Sequence, residues 1–150
     1  MDIGNVSHDK STLTRILSNI STGKFKEEKK RNMTIKLGYA NFKIWGCDCK
    51  DELDIYKTTS SNIMTGSLCK YCSKNAKLLK HISIVDSPGH ADLIGTMLSG
   101  ASVMDNALLV ISAKEDCPSP QTIEHLISAE EYGLSEKLII IQNKIDLCSL

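Results

Sequence analysis

The stretch Ile82-Ser83-Ile84-Val85-Asp86-Ser87-Pro88-Gly89-His90 runs from a mostly β-branched segment into a carboxylate and a Pro-Gly turn. A short apolar run that does not alternate reads as a strand covered on both faces. Two more such runs follow, Ala107 to Ile111 and Leu138 to Ile141. Helical patterns separate the three, at Ala91 to Met104 and at Gln121 to Tyr132, the second stopped by Gly133. This β-α-β-α-β series predicts an α/β fold, a mostly parallel sheet of buried strands with helices on both faces. Toward the amino terminus, Leu13, Ile16, Leu17 and Ile20 give Ser11 to Ile20 a helical spacing. A charged stretch, Lys24 to Arg31, precedes an extended segment from Thr34 to Trp45. Cys47 to Lys80 has little periodicity and reads as a long insertion loop between paired strands.

Three motifs carry chemistry on this frame. Gly4-Asn5-Val6-Ser7-His8-Asp9-Lys10-Ser11 follows the phosphate-binding pattern G-x-x-x-x-G-K-[ST], with Asp9 in place of the second glycine. In such a loop the backbone around Ser7, His8 and Asp9 surrounds phosphates, Lys10 reaches the outer ones, and Ser11 binds Mg²⁺ where a helix starts through Thr12. Asp86 and Gly89 lie at a strand's carboxyl end, where a sheet of this kind places its ligand. A carboxylate there holds Mg²⁺ through water, and the Gly89 N–H meets a terminal phosphate. Asn143-Lys144-Ile145-Asp146 lies at the next such end, where the Asp146 carboxylate can accept both N–H groups on the edge of guanine. Each motif by itself would read as a turn or a helix cap; three in this order read as a nucleotide site.

The order of these motifs resembles that of translation factor GTPases. Arg31-Asn32-Met33-Thr34-Ile35-Lys36-Leu37-Gly38-Tyr39-Ala40, Thr96 to Asp105 and Pro118 to His125 are similar to the gamma-subunit family of the heterotrimeric initiation factor two of eukaryotes and archaea. The resemblance implies a P-loop GTPase domain, GTP or GDP with Mg²⁺, and delivery of initiator methionyl-tRNA to the small ribosomal subunit with alpha and beta partner subunits in the cytoplasm. It makes Thr34 the switch residue that meets Mg²⁺ and the γ-phosphate. It makes His90 the residue that orients the attacking water, with Asp86 and Lys10 completing the catalytic set. It also implies β-barrel domains after this domain, so residues 1–150 read as a GTPase domain incomplete at both ends, its sheet edges exposed. The basic run Lys24, Lys26, Lys29, Lys30 and Arg31 is interrupted by Glu27 and Glu28 and reads as solvated surface, not a tRNA site.

Some members of that family carry a zinc knuckle in the insertion, residues 47–80 here. Cys47-Asp48-Cys49 and Cys69-Lys70-Tyr71-Cys72 are separated by nineteen residues, near the C-x₂-C…C-x₂-C zinc spacing but with the first pair one residue short. Four zinc thiolates and four free thiols both fit that spacing. Cys117 and Cys148 read as plain buried thiols. Eighteen basic and eighteen acidic residues give no general field for nucleic acid or membrane, and no apolar run approaches the ~18 residues of a membrane span.

Asp9 departs most from the pattern. Its side chain burdens a position suited to glycine, and a unit charge at about 4 Å from a phosphate costs ~1 kcal/mol in water and ~4 kcal/mol at a dielectric of 20. Weak GTP binding, or none, is the expectation, with pairing of Asp9 to Lys10 as one way to soften the repulsion. Two other readings stand beside the GTPase: a nucleotide-free interaction module of the initiation factor, and a different translation GTPase such as a selenocysteine-specific elongation factor.

Overall fold

A computed structural model describes residues 1–31, 33–49, 55–101 and 103–148. Asn32 of the switch stretch, residues 50–54 of the insertion and Ser102 of the second family-like stretch lie outside the described residues. Six strands form one mixed sheet in the order β3-β2-β4-β1-β5-β6. They are β1 (Asp2–Ile3), β2 (Gly38–Gly46), β3 (Lys57–Ser60), β4 (Lys77–Asp86), β5 (Ala107–Ser112) and β6 (Leu138–Asn143). β1 sits between β4 and β5, parallel to both, and β5 is parallel to β6; β2 runs antiparallel to β3 and β4.

The helices are α1 (Lys10–Ser18), α2 (Lys26–Arg31), α3 (Ile94–Ala101) and α4 (Pro120–Glu131). Alternation along the strands assigns them to faces. Leu109, Ile3 and Val85 pack with Met97 of α3 and Ala129 of α4, while Leu108, Ala40, Phe42 and Ile84 pack with Leu17 of α1. Helices therefore cover both sides of the sheet. Helix α4 begins at a Ser119 cap whose side chain accepts the Thr122 N–H, with Pro120 in the first turn. It stops at Gly133, whose φ of 66° lets its own N–H reach the Glu130 carbonyl and the Leu134 N–H reach Ala129, a Schellman closure.

Several expectations need correction. Helix α3 is shorter than its sequence pattern, since Ala91–Leu93 form a 3₁₀ turn. Helix α1 ends at Ser18, because Asn19 turns left-handed, and it buries Thr14 and Ser18 while Ile16 is exposed. The charged stretch is no simple loop: Lys26–Arg31 is helical and Glu28 is buried. Part of the insertion is sheet, namely β3 and the first residues of β4. The unbroken apolar run of β6 predicts cover on both faces, yet Ile139 and Ile140 are 54% and 62% exposed. It pairs with β5 alone among the described strands, so it forms the sheet's edge. Cys117 and Cys148 are exposed, one in the loop before Pro118 and the other after the last 3₁₀ turn.

The contrast between β5 and β6 has a measurable outcome. Leu109→Ala, at a side chain 3% exposed, is expected to cost about 2–5 kcal/mol in urea unfolding, and Ile140→Thr less than about 0.5 kcal/mol.

Candidate functional site

The phosphate-loop sequence leaves β1 at Gly4 and makes one 3₁₀ turn over Val6–His8 before α1. Asp9 joins turn to helix at φ 62° and ψ 36°, a left-handed conformation that aspartate adopts more readily than most residues. The backbone thus keeps the conformation that a glycine would give. The Lys10 ammonium donates to the carbonyls of Gly4 at 2.8 Å and Asn5 at 2.9 Å. Burial pulls its pKa down, against the opposing fields of Asp2, Asp86 and Asp9. Gly89 closes over this loop so tightly that a Cβ would lie 2.4 Å from both the Gly4 oxygen and Lys10 Nζ. The close approach explains why glycine stands there. Ser11 Oγ and Thr34 Oγ1 meet at 2.9 Å, bringing the start of α1 to the segment before β2.

Lys10, Ser11, Thr34 and Gly89 line one cavity of about 550 Å³, together with Ser7, Asp9, Thr12, Thr22, Glu28 and Lys144. Asp86 is not part of this lining; it is fully buried and is joined to the lining through Thr22. Thr22 Oγ1 donates to its Oδ2, while its Oδ1 is buried without a hydrogen-bond partner among the described residues. Asp2, also fully buried, accepts the Ser87 N–H on Oδ1 and the Thr14 hydroxyl on Oδ2, each at 2.8 Å. Burial, and then the nearby Asp86 charge, push the Asp2 carboxyl up to about 7.

Other predicted residues stand outside the cavity lining. The His8 side chain turns inward, with Nδ1 2.8 Å from the Val110 carbonyl and Nε2 3.1 Å from Glu115 Oε2. Asn143 Nδ2 donates to the His8 carbonyl at 3.1 Å, so it braces the loop from behind. Asp146 is exposed in the 3₁₀ turn Ile145–Leu147. His90 faces Asp92, whose N–H lies 3.2 Å from its Nδ1. Asp9 does not pair with Lys10. Its Oδ2 lies 3.0 Å from Lys144 Nζ, because the Lys10 ammonium is already held by loop carbonyls.

Sequence reasoning passes over four residues that shape this site: Asp2, Thr22, Glu28 and Glu115. Glu115 accepts the Ser7 hydroxyl at 2.8 Å, and its hydrogen bonds to Ser7 and His8 hold its carboxyl below the ordinary range. In sequence Glu28 is a charge breaking a basic surface. Its Oε1 instead accepts the N–H groups of Ile35 and Lys36, both at 3.1 Å, and its Oε2 that of Phe25 at 3.2 Å. This ties the residues that follow Thr34 to α2. Burial would raise the Glu28 pKa, but the backbone N–H groups of Lys36, Ile35, Phe25 and Lys24 outweigh it and hold the carboxyl low. The buried His125 imidazole has its pKa lowered to about 4, chiefly by burial and next by Lys10, so it adds no charge beside that lysine near neutral pH.

At the other end of the β2–β4 pair, the four insertion cysteines converge. Their sulfurs lie within 4.8 Å of one another, with Cys47–Cys72 at 3.4 Å and Cys49–Cys69 at 3.5 Å. The short first pair does not keep the thiols apart, because Cys47 leaves β2 directly and Cys69 and Cys72 share a turn closed by Ser73 N–H to the Cys69 carbonyl. Backbone N–H groups of Cys72 and Tyr71 lower the Cys69 thiol to about 6, which favours a thiolate.

Comparison with known proteins adds to this geometry. Residues 2–150 match the family described as the elongation factor Tu GTP binding domain. The chain is 50% identical over 148 residues to the eukaryotic translation initiation factor 2 subunit gamma of Encephalitozoon cuniculi, covering 98% of this chain and 34% of that protein. It is 48% identical over 147 residues to the translation initiation factor 2 subunit gamma of Methanococcus maripaludis, again covering 98% and 34%. The chain thus spans about a third of the length of these relatives. A crystal structure of a bacterial selenocysteine-specific elongation factor superposes with a TM-score of 0.66 at 28% identity, over 99% of this chain and 20% of that one.

The Glu28 contacts can be tested by unfolding across pH. Because its folded pKa is depressed, Glu28 contributes stability that is full above the ordinary carboxylate range and is lost as pH falls below that range through the folded pKa. At neutral pH Glu28→Ala is expected to cost about 1–3 kcal/mol by stranding backbone donors, with Glu28→Gln costing less. Below the ordinary carboxylate range, as pH falls through the depressed folded pKa, the gap between the unaltered protein and Glu28→Gln should narrow.

Proposed function

The chain belongs to the elongation factor Tu GTP-binding domain family, a family of translation GTPases, and from that premise we propose that it is the nucleotide-binding unit of an initiation factor gamma subunit. In this reading it binds GTP and GDP and serves GTP-dependent delivery of initiator methionyl-tRNA to the small ribosomal subunit in the cytoplasm, together with alpha and beta subunits. The observation that carries the nucleotide assignment is the meeting of Ser11 and Thr34 hydroxyls on the wall of a cavity shared by Lys10 and Gly89.

The residues present fit Mg²⁺. Ser11 and Thr34 offer two adjacent hydroxyls, and the buried Asp86 keeps one oxygen without a partner. A bound Mg²⁺ supplies positive charge against the phosphates. Lys10 would exchange its two carbonyl partners for phosphate oxygens, and the Gly89 N–H would face the terminal phosphate. Ser7, His8, Asp9 and Thr12 would contribute to the phosphate cradle. Asn143 braces that cradle, Lys144 joins it to the guanine motif, and Asp146 would take the guanine N–H groups. His90 would orient water for in-line attack, for which its ring has to turn from Asp92.

Zinc also fits, at a separate place. Four thiols within 4.8 Å match a tetrahedral thiolate set in which Zn–S is about 2.3 Å, so Cys47, Cys49, Cys69 and Cys72 would hold a structural Zn²⁺ in the 47–80 insertion. One zinc per chain is expected by metal analysis, with Cys69→Ser lowering both the zinc content and the melting temperature. A full complement in that variant would count against the site.

The identity of about 50% to initiation factors, against 28% to the selenocysteine-specific factor, favours the initiation reading. Asp9 supports a second one, in which the fold serves as a nucleotide-free interaction module of the factor. Calorimetric titration with GDP and a nonhydrolysable GTP analogue in Mg²⁺, on the unaltered chain and Asp9→Gly, separates them. Guanine-selective binding by the unaltered chain, strengthened in Asp9→Gly by about tenfold or more, is expected from the charge removed. Binding by Asp9→Gly alone would favour the interaction module, and silence from both would overturn the nucleotide assignment.

A further inference from the structure

Asp9 places a carboxylate on the wall of the cavity assigned to an anionic ligand, and the structure gives that charge a specific partner. Lys144 Nζ lies 3.0 Å from Asp9 Oδ2 and donates to the Ser7 carbonyl at 2.6 Å. Both residues line the same cavity. Both also hold left-handed backbone, at φ 62° and 59°, so the two ends of the pair are set by main-chain geometry as well as by rotamers. The nearest cation in sequence, Lys10, is committed to the Gly4 and Asn5 carbonyls.

We infer that Lys144 is the counter-ion of the phosphate loop's own carboxylate, a positioning residue that lets the loop carry Asp9 and still accept a nucleoside diphosphate. The inference rests on the nucleotide reading proposed above and explains how that reading survives the departure at Asp9. Without Lys144, the Asp9 charge would face the incoming phosphates unopposed. With it, part of that charge is offset, and the pair draws the guanine motif onto the loop. The Asp9 and Lys144 side chains are 47% and 26% exposed, so water and salt screen the pair, and neutralisation is partial.

The pair predicts that Lys144 matters more when position 9 is charged. GDP affinity would be measured on the whole chain for the unaltered protein, Asp9→Gly, Asp9→Asn, Lys144→Met and the two double variants, with urea unfolding as a check on folding. Lys144→Met is expected to weaken GDP binding by about twofold to fivefold more in the unaltered background than in the Asp9→Gly background, the scale of a partly exposed charge pair. The Asp9→Asn background should behave like Asp9→Gly, which separates charge from side-chain bulk, and raising the salt should shrink the difference. Equal weakening by Lys144→Met in all three backgrounds would overturn the counter-ion role while leaving nucleotide binding in place. Loss of GDP binding in every protein, each still unfolding cooperatively, would overturn the nucleotide reading and this inference with it. If Lys144→Met does not fold, Lys144→Gln replaces it with the same comparison.

Discussion

A single buried carboxylate holds the site's frame together. Asp2 lies in a strand of two residues at the centre of the sheet, shut off from solvent, and its two oxygens fix the first helix through Thr14 and the end of β4 through Ser87. A buried carboxylate has to find such partners, because without them its desolvation is too costly. The partners are the elements on either side of the phosphate loop. The loop's exit from β1, the axis of α1 and the position of Asp86 are thereby set by one residue. Asp86 lies opposite Asp2 in the strand register, so its charge adds to the cost of ionising Asp2.

Around that frame, the loop is held from outside by the ends of β5 and β6. Glu115 takes the Ser7 hydroxyl and approaches His8, Asn143 takes the His8 carbonyl, and Lys144 takes Ser7 and Asp9. The ties come from the carboxyl ends of parallel strands, which is where an α/β sheet gathers its ligand-binding groups. On the opposite side, Glu28 gathers the N–H groups of the segment after Thr34. One wall of the cavity is thus braced by the sheet, and the other by a short helix and a single carboxylate.

The sequence is most readable where function depends on neighbours in the chain. The motifs proposed as phosphate loop, Asp-x-x-Gly and Asn-Lys-x-Asp can each be read from a few consecutive residues, and β5 shows its burial on both faces as an unbroken apolar run. Residues that act across the fold leave no such mark. Asp2 meets a partner 85 positions away and Thr22 one 64 positions away, and Glu28 looks like a break in a basic surface. The partner of Asp9 is hidden for the same reason, since adjacency in sequence points to Lys10 while the fold supplies Lys144. Strand β6 shows the converse limit. An apolar run describes what a strand can bury, but its neighbours decide what it does bury.

The antiparallel pairing of β2 with β4 joins the two ends of the molecule in one ribbon. It starts at Gly38 opposite Asp86 and continues to Gly46 opposite Lys77, roughly 27 Å at ~3.4 Å per residue. Ala40, Phe42 and Ile84 face the core from it, so slipping the pairing by one residue would turn that apolar set outward. The four cysteines gather at the ribbon's far end from both strands, since Cys47 continues β2 and Cys69 and Cys72 belong to the turn leading into β4. A Zn²⁺ held by these thiols, as proposed above, would therefore pin the two strands to each other at Gly46, on the far side of the register shift between Ile44 and Trp45, and would keep that end of the ribbon from fraying away from the end that carries Asp86.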